Sequence, residues 1–227
     1  MRKLKNNQLL HGAGLMIAFA VWTLLIMFFD VRPVGPNGSS VGFAALNVWF
    51  HKLTGVHMLI YTITDWLGLV PIIICLWFAG VGLSQWIKRR NLTKVDADIL
   101  LLGAYYILVI AGYSFFEMVP INYRPILING YLEASYPSST TLLVLSVLPT
   151  LKYQTDRRTA NSAIRKAVKA FVVVFSCFMV IGRLLSGVHW FTDIVGGVLL
   201  SAGLFCIYEG AVQMIEKTAG RGEHGIL

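Results

Sequence analysis

Residues 67–86 read LGLVPIIICLWFAGVGLSQW, a stretch without a single charged side chain. An α-helix needs about 20 mostly apolar residues to cross the hydrocarbon core of a bilayer, so this stretch predicts a transmembrane helix. Five further apolar segments predict spans at residues 9–29, 99–116, 140–151, 167–181 and 191–215. The segment 140–151 is short unless its helix begins near Ser138. The sequence therefore predicts an all-α polytopic membrane protein with six transmembrane helices.

The overall composition agrees with this fold class. Of the 227 residues, 56% are hydrophobic and only 13% are charged. A soluble domain has about 25% charged residues, and a disordered chain combines low hydrophobicity with high charge, so both classes are excluded. No internal repeat or linker divides the chain, and residues 1–227 are expected to form a single membrane-embedded domain.

Residues 41–64, between the first two predicted spans, are also apolar but less continuous. His51, Lys52, Gly55 and His57 interrupt this stretch, and aromatic residues are interspersed. Such a pattern is typical of a helix that lies in the membrane interface. We therefore expect an interfacial or re-entrant helix here, and no seventh span.

The distribution of cations predicts the orientation in the membrane. Six spans with a cytoplasmic N-terminus leave four cations outside, Arg32, Lys52, Arg124 and Arg183. The remaining Lys and Arg residues are then cytoplasmic, as the positive-inside rule demands: Arg2, Lys3, Lys5, Lys88, Arg89, Arg90, Lys94, Lys152, Arg157, Arg158, Arg165, Lys166, Lys169, Lys217 and Arg221. The protein is expected in the plasma membrane, with both termini in the cytoplasm. Because the cations are spread over four inside segments without a binding motif, no nucleic-acid partner is expected.

The last outside connection, GRLLSGVHWFTD at residues 182–193, carries an unusual set of polar residues. His189 and Asp193 are four residues apart at the start of the sixth predicted span, so a helix places them on one face. The carboxylate can accept the Nδ1–H of the imidazole and leave Nε2 as a nucleophile. Arg183 can reach the same point and bind a phosphate with two hydrogen bonds. The alternative is a set of interfacial helix caps, but ionisable residues facing a bundle interior are costly and usually functional.

The preceding outside segment supplies a second polar group. It contains YRP at residues 123–125 and YPSSTT at residues 136–141, where the fourth predicted span begins. Proline followed by Ser and Thr marks a helix start, and the free N–H groups there attract an anion. Taken alone, Ser138 and Ser139 are better interpreted as simple helix caps. Beside Arg124, Arg183 and the His–Asp pair, phosphate binding is the preferred interpretation.

These residues resemble the type 2 phosphatidic acid phosphatase superfamily over roughly residues 99–205. That family carries Lys-x6-Arg-Pro, then Pro-Ser-Gly-His, then Ser-Arg-x5-His-x3-Asp, on a six-helix membrane bundle. The third motif matches from Arg183 through His189 to Asp193, with Gly182 in place of the Ser. The first retains Arg124 and its proline. The second retains Pro137 and Ser138 but has Ser139 for Gly.

The resemblance implies a role for each matched residue. His189 would attack phosphorus to give a phosphohistidine, which water then hydrolyses, and Asp193 would orient the imidazole. The phosphate oxygens would be held by Arg124, Arg183, Ser138 and the backbone amide of Ser139. No metal or other cofactor is expected, because arginines and a helix terminus offset the charge. The implied partners are a lipid phosphate and the surrounding membrane lipid, with the site on the outer face.

Two positions depart from the family pattern and concern proton transfer. Glu117 stands where the family has Lys, and Thr140 stands where it has the His that acts as general acid, a role worth 10²–10⁴-fold. The Thr140 hydroxyl cannot act as that acid at neutral pH. Glu117 can serve if desolvation raises its pKa; alternatively, it is a helix-end residue paired with Arg124. Since a diphosphate expels a phosphate that needs little protonation, a polyprenyl diphosphate is favoured as substrate.

Two other functions remain as alternatives at this point. The first alternative is a non-hydrolytic relative that binds or transports a phospholipid, although a pure binder has no need of an oriented nucleophile. A transporter of another class normally shows polar or Gly/Pro-broken segments within its spans. Here the polar residues collect at one membrane face, which favours chemistry on a lipid headgroup.

Overall fold

The computed structural model describes residues 7–223, and side chains as far as residue 217. Within this part the chain forms eight α-helices: α1 (Asn7–Phe28), α2 (Ala44–Thr54), α3 (Met58–Leu67), α4 (Leu69–Arg89), α5 (Ala97–Met118), α6 (Ser139–Arg158), α7 (Ser162–Leu185) and α8 (Phe191–Glu223). Short 3₁₀ turns lie at Pro36–Gly38 and Leu92–Lys94. Extended pairing over the same residues is limited to isolated bridges in the connections, so the predicted all-α class is confirmed.

Five segments of the described chain are long and apolar enough to cross a membrane. They are Asn7–Phe28, Met58–Arg89, Ala97–Met118, Ser162–Leu185 and Phe191–Lys217. The protein is therefore an integral membrane protein. Five of the six predicted spans overlap these segments, but the fourth, at 140–151, is not confirmed as a span.

Helix α6 accounts for the difference, because it is helical but comparatively polar. Ser146, Thr150 and Gln154 are four residues apart and fully buried, and so lie along one inward face. Thr150 hydrogen-bonds the Tyr106 hydroxyl at 2.7 Å, and Gln154 donates to the Tyr208 hydroxyl at 2.8 Å. Neighbouring helices satisfy the polar groups of Thr150 and Gln154, so α6 occupies the bundle without the apolar surface that a lipid-facing helix requires.

Residues 41–64 do not form the single helix that was predicted. Gly55 adopts a φ of 70° and separates α2 from α3. The His57 N–H donates to the Ser186 carbonyl at 2.9 Å, which ties the break to the α7–α8 connection. Helix α3 then leads through Gly68 into α4 as one apolar segment, Met58–Arg89. The expectation of one interfacial helix was therefore wrong in its extent, because a tertiary contact stabilises the break.

Helix α1 packs closely along α8 through small residues. A Cβ at Gly12 would come within 2.7 Å of Ile207, and a Cβ at Gly210 would come within 2.6 Å of Leu9. The absence of side chains at these two positions lets the two backbones approach each other. This contact fixes the long helix that carries Asp193 in its first turn.

The two ends of the bundle have different chemistry. At the end formed by the start of α5 and the end of α6, arginines meet acidic residues, with Arg89–Asp96 at 2.8 Å and Arg158–Asp98 at 2.7 Å. The opposite end holds the α5–α6 and α7–α8 connections. Of the cations used for the predicted orientation, Arg2, Lys3 and Lys5 and the side chain of Arg221 lie outside the described residues.

Candidate active site

The α5–α6 connection is folded back on itself and brings two site residues together. The Arg124 N–H donates to the Glu133 carbonyl at 3.0 Å, and the Ser135 N–H donates to the Asn122 carbonyl at 2.9 Å. An isolated antiparallel bridge between Tyr123 and Ala134 lies between these two bonds. This pairing places Arg124 and Ser135 beside the α7–α8 connection, where His189 lies.

The imidazole of His189 is buried and has different partners on its two nitrogens. Nδ1 lies 3.1 Å from the Ser135 carbonyl oxygen and 3.1 Å from the Ser135 hydroxyl. Because a carbonyl oxygen can only accept, Nδ1 carries the proton and donates it. Nε2 is then unprotonated and accepts a long hydrogen bond from Nη1 of Arg124, at 3.4 Å between the two nitrogens. Sequence reasoning predicted this tautomer, but the backbone of Ser135 fixes it.

Asp193 supports the histidine through an intermediate residue. Helix α8 begins two residues after His189, so His189 and Asp193 do not share one face of a helix as predicted. The distance from Nδ1 of His189 to Oδ2 of Asp193 is 3.9 Å. The Asp193 carboxylate accepts the Trp190 N–H at 2.9 Å, as in a capping box, and the Ser135 hydroxyl also donates to it. Asn122 donates from Nδ2 at 3.3 Å. The direct Nδ1–H bond to the carboxylate expected from the sequence is therefore replaced by contacts through Ser135.

The charge state of His189 follows from its surroundings. Complete burial, followed by the positive charges of Arg124 and Arg183, lowers its pKa well below the ordinary value of 6.5. The ring is therefore neutral at physiological pH. A neutral imidazole with an unprotonated Nε2 is the form that acts as a nucleophile.

Arg183 is buried at the end of α7 and has several partners. Nη2 donates to Asp65 of α3 at 2.8 Å and to the Thr140 hydroxyl at 2.5 Å. The guanidinium carbon lies 5.0 Å from the centre of the Tyr61 ring, a cation–π distance. Nε and Nη1 are buried without a hydrogen-bond partner in the described structure. This arginine therefore retains unused donors.

The start of α6 lies against the same centre. Ser138 is the N-cap residue, and its N–H donates to the Asp193 carbonyl at 3.0 Å. Its hydroxyl is fully buried and makes no hydrogen bond to any described residue, and the same holds for the Thr141 hydroxyl. Ser139 is half-buried at the mouth of a neighbouring cavity. The helix start thus places buried hydroxyls and free N–H groups near the arginines.

Glu117 differs from the other predicted residues because its side chain is exposed. It is exposed in the last turn of α5 and interacts with Tyr113, one turn earlier. Arg124 forms its ion pair with Glu133, at 3.0 Å from Nε to Oε2. The alternative of a Glu117–Arg124 ion pair is therefore not realised, since Glu133 takes that place.

Several contributors to the site were missed by sequence reasoning, among them Asn122, which donates to Asp193. Ser135 and Glu133 lie in the same connection as Ser138, but nothing in their spacing predicts contacts with His189 and Arg124. Asp65 was detectable, since an ionisable residue in the apolar segment Met58–Arg89 is a functional signal. It approaches the centre only because α3 packs against α7.

The assembled site has the chemistry of a phosphoryl-transfer centre on a helical membrane protein. A neutral, oriented imidazole stands beside two guanidinium groups and a helix N-terminus, which together can neutralise a phosphoryl group. Within the described residues, no group of three or more His, Cys, Asp or Glu side chains is placed to hold a metal ion.

Comparisons with known proteins define the family. The family model of the PAP2 superfamily matches residues 100–215, so the chain belongs to this superfamily and the resemblance seen in the motifs is confirmed. The fold is similar to the crystal structure of the first transmembrane PAP2 type phosphatidylglycerolphosphate phosphatase from Bacillus subtilis. That match has a TM-score of 0.58 and 18% identity and covers 90% of this chain and 96% of the other. A comparison with curated proteins gives no match.

Proposed function

We propose that this protein is a membrane lipid phosphatase that hydrolyses a lipid phosphate or diphosphate through a phosphohistidine. The observation that carries the proposal is the state of His189, which is buried and neutral with Nδ1–H donated to Ser135 and Nε2 facing Arg124. Membership of the PAP2 superfamily and the fold shared with a membrane phosphatase support the same function.

The reaction has two steps that both use His189. Nε2 attacks phosphorus, the bond from phosphorus to the leaving oxygen breaks, and its electron pair departs with that oxygen. Water then attacks phosphorus, loses a proton to solvent, and the P–N bond breaks to return the lone pair to Nε2. Arg124, Arg183 and the Ser138 hydroxyl hold the equatorial oxygens, where charge is concentrated in the transition state. The backbone amide of Ser139 serves as a further donor.

Asp193 and Ser135 position the nucleophile without touching the substrate. The Ser135 carbonyl holds Nδ1–H, and the Ser135 hydroxyl joins the ring to the Asp193 carboxylate. As Nε2 forms a bond to phosphorus, the ring becomes positive, and the nearby carboxylate stabilises that charge. The carboxylate thereby lowers the free energy needed to place a positive charge on the buried His189 ring.

The substrate preference follows from the leaving group. Thr140 is engaged with Arg183 and supplies no acid, so a leaving oxygen that needs a proton departs slowly. A diphosphate releases a phosphate monoester, which leaves as an anion. We therefore favour a lipid diphosphate, and a polyprenyl diphosphate in particular, with Glu117 the candidate for proton transfer when the leaving group is an alcohol.

The orientation of the molecule in the membrane is also part of the proposal. The site end carries Arg124 and Arg183, whereas Arg89, Arg157 and Arg158 lie at the opposite end among acidic partners. With α6 counted as a sixth crossing, both termini lie on the cytoplasmic side. The site then faces the outside of the plasma membrane.

Phosphate release by purified protein in detergent tests this function. The unchanged chain is expected to release phosphate from a polyprenyl diphosphate, and His189→Ala is expected to abolish the release. A radioactive terminal phosphate should also label the unchanged chain at His189 in an acid-labile form. Absence of release and labelling with every lipid phosphate and diphosphate supplied would reject the enzyme.

A non-hydrolytic lipid-binding relative is the second candidate. Two observations favour it. Arg183 already donates to Asp65 and to Thr140, and Thr140 stands at the family's second-motif position, where it supplies no general acid. Binding of a lipid phosphate without phosphate release, unaffected by His189→Ala, would identify this function.

A further inference from the structure

Helix α3 holds the guanidinium of Arg183 through one of its faces. Tyr61 and Asp65 are four residues apart and lie on this face. The centre of the Tyr61 ring is 5.0 Å from the guanidinium carbon, and Oδ1 of Asp65 accepts a hydrogen bond from Nη2 at 2.8 Å. The Arg183 side chain is 3% exposed, whereas that of Asp65 is 59% exposed. The ion pair therefore joins a buried cation to a carboxylate that water can reach.

Two departures from the family pattern lie against this ion pair. Gly182 stands in place of the family's Ser, and a Cβ there would come within 2.7 Å of Cγ2 of Thr64, a fully buried residue of α3. A side chain at residue 182 would therefore push α3, and Asp65 with it, away from α7. Thr140 stands in place of the family's His, and its hydroxyl binds the same Nη2 atom of Arg183 at 2.5 Å. The changed motif positions thus contact either the arginine or the helix that brings Asp65 to it.

The side-chain oxygens of Asp65 and Thr140 are within reach of a single water molecule. Both residues line a cavity of about 490 Å³ between α4, α5 and α6. Because the two oxygens bind one nitrogen, at 2.8 and 2.5 Å, they lie no more than about 5.3 Å apart. An O–H···O hydrogen bond spans about 2.7–2.8 Å, so one water molecule can donate to both oxygens. The lone pairs of that water then face away from its acceptors.

The second step of the proposed reaction needs a proton acceptor at this position. Water attacks phosphorus from the side that the leaving oxygen has vacated, in line with Nε2 of His189. In the family, the residue at the position of Thr140 acts on that leaving oxygen, so the attacking water lies beside Thr140. A hydroxyl cannot take the proton at neutral pH, whereas a carboxylate can.

We propose that Asp65 is the general base that activates water against the phosphohistidine. The inference rests on the proposed function and names the residue that receives the proton. As the water oxygen forms its bond to phosphorus, one of its protons passes to the Asp65 carboxylate. The P–N bond breaks, and its electron pair returns to Nε2 of His189. Asp65 then releases the proton to solvent from its exposed side.

The same residue gives no proton to the leaving group in the first step. As the charged partner of Arg183, Asp65 enters the reaction as a carboxylate. It therefore assists only the second step, which is consistent with a diphosphate substrate whose leaving group needs no acid. Glu117, the candidate for proton transfer to an alcohol leaving group, serves the other step.

Asp65→Asn tests the role of the carboxylate. The amide oxygen can still accept the hydrogen bond from Arg183, but the side chain can no longer take a proton. The first step is expected to proceed, and the second to slow by about 10²-fold or more. With a polyprenyl diphosphate that carries a radioactive terminal phosphate, we expect a burst of about one lipid monophosphate per chain, slow phosphate release, and an acid-labile label that accumulates on His189. Asp156→Asn removes a carboxylate that pairs with Lys152 at the other end of α6, and should behave as the unchanged chain.

Two further measurements separate a base from a residue that only supports the fold. Asp65→Ala should also accumulate the label, and added formate, a small carboxylate, should speed its dephosphorylation at least tenfold while leaving Asp65→Asn unchanged. Gly182→Ala should displace α3 and slow dephosphorylation in the same way. Adding Thr64→Ala removes Cγ2 from that contact and should restore the rate.

Each outcome decides either the proposed function or this role of Asp65. Absence of labelling and of phosphate release in the unchanged chain rejects the proposed function, and the role of Asp65 with it. If the unchanged chain is active, a normal rate without accumulated label in Asp65→Asn rejects the role alone. Equal loss of labelling and release in Asp65→Asn and Asp65→Ala, without rescue by formate, identifies a structural residue and also overturns the proposal.

Discussion

Removal of the Ser135 hydroxyl tests the link between the nucleophile and its carboxylate. In Ser135→Ala the backbone carbonyl that accepts Nδ1–H is retained, so the tautomer of His189 persists. The bond to Asp193 is lost, and the carboxylate keeps only its contacts with Trp190 and Asn122. The variant therefore removes the link from the His189 ring to Asp193 without changing which ring nitrogen carries the proton.

The expected size of the effect follows from the kind of bond removed. A hydrogen bond to a buried charged group contributes about 1.5–3 kcal/mol, which corresponds to a rate factor of roughly 10- to 150-fold. Because Ser135 does not touch the substrate, the loss should appear in kcat and in kcat/KM, with KM nearly unchanged. Phosphate release from a polyprenyl diphosphate, followed over a range of substrate concentrations, measures both parameters.

A matched control and a double-mutant cycle make the test specific. Ser146 is equally buried on α6, its hydroxyl has no hydrogen-bond partner in the described chain, and Ser146→Ala should leave the rate unchanged. If Ser135 acts through Asp193, adding Ser135→Ala to Asp193→Asn should cost little more. A full rate in Ser135→Ala, or additive losses in the double variant, would refute the proposed link.

Further outcomes are expected for three substitutions and for the pH dependence of the unchanged chain. Thr140→His should speed hydrolysis of phosphatidic acid, which has an alcohol leaving group, by up to roughly 10²–10⁴-fold, with little gain on a diphosphate; equal gains would argue against a missing acid. Glu117→Gln should slow phosphatidic acid hydrolysis more than diphosphate hydrolysis, and equal slowing would remove its proton-transfer role. Because burial and two arginines lower the pKa of His189, kcat/KM corrected for substrate ionisation should hold its plateau as pH falls through 6.5. Over the same interval, unfolding measurements should show declining stability, because only the unfolded chain takes up the proton; constant stability would contradict the low pKa. Gly187→Ala should lower thermal stability and activity together, because φ is +70° there and a Cβ would lie 2.1 Å from the Gly55 carbonyl oxygen.

The membrane fold could be predicted in large part because apolar length is a local property. The segment 67–86 and four others are recognisable without any tertiary information, and each became part of a candidate span. Apolar length could not settle whether helix α6 crosses the membrane, because its polar residues Thr150 and Gln154 hydrogen-bond to tyrosines of neighbouring helices. The helix break at Gly55 could not be predicted either, because the contact that stabilises it is made with Ser186, more than 100 residues away.

The site was predictable to the extent that its residues are close in sequence. The motif spacing of Arg183, His189 and Asp193 indicated one phosphate-binding group. The spacing did not indicate how the ring is held, because the partner of Nδ1 is Ser135, 54 residues earlier in the chain. Likewise, the partner of Arg183 is Asp65, 118 residues earlier.

The amino-acid sequence alone determined that this chain is an α-helical membrane protein and which few polar residues stand out in it, since hydropathy and motif spacing depend only on neighbouring residues. The tertiary structure decided how those residues are used. It placed the Ser135 carbonyl against His189 and the Ser135 hydroxyl between His189 and Asp193, paired Arg183 with Asp65, and set the polar centre beside an apolar cavity. These features depend on packing between distant segments, because burial and hydrogen-bond partners arise only when the helices come together.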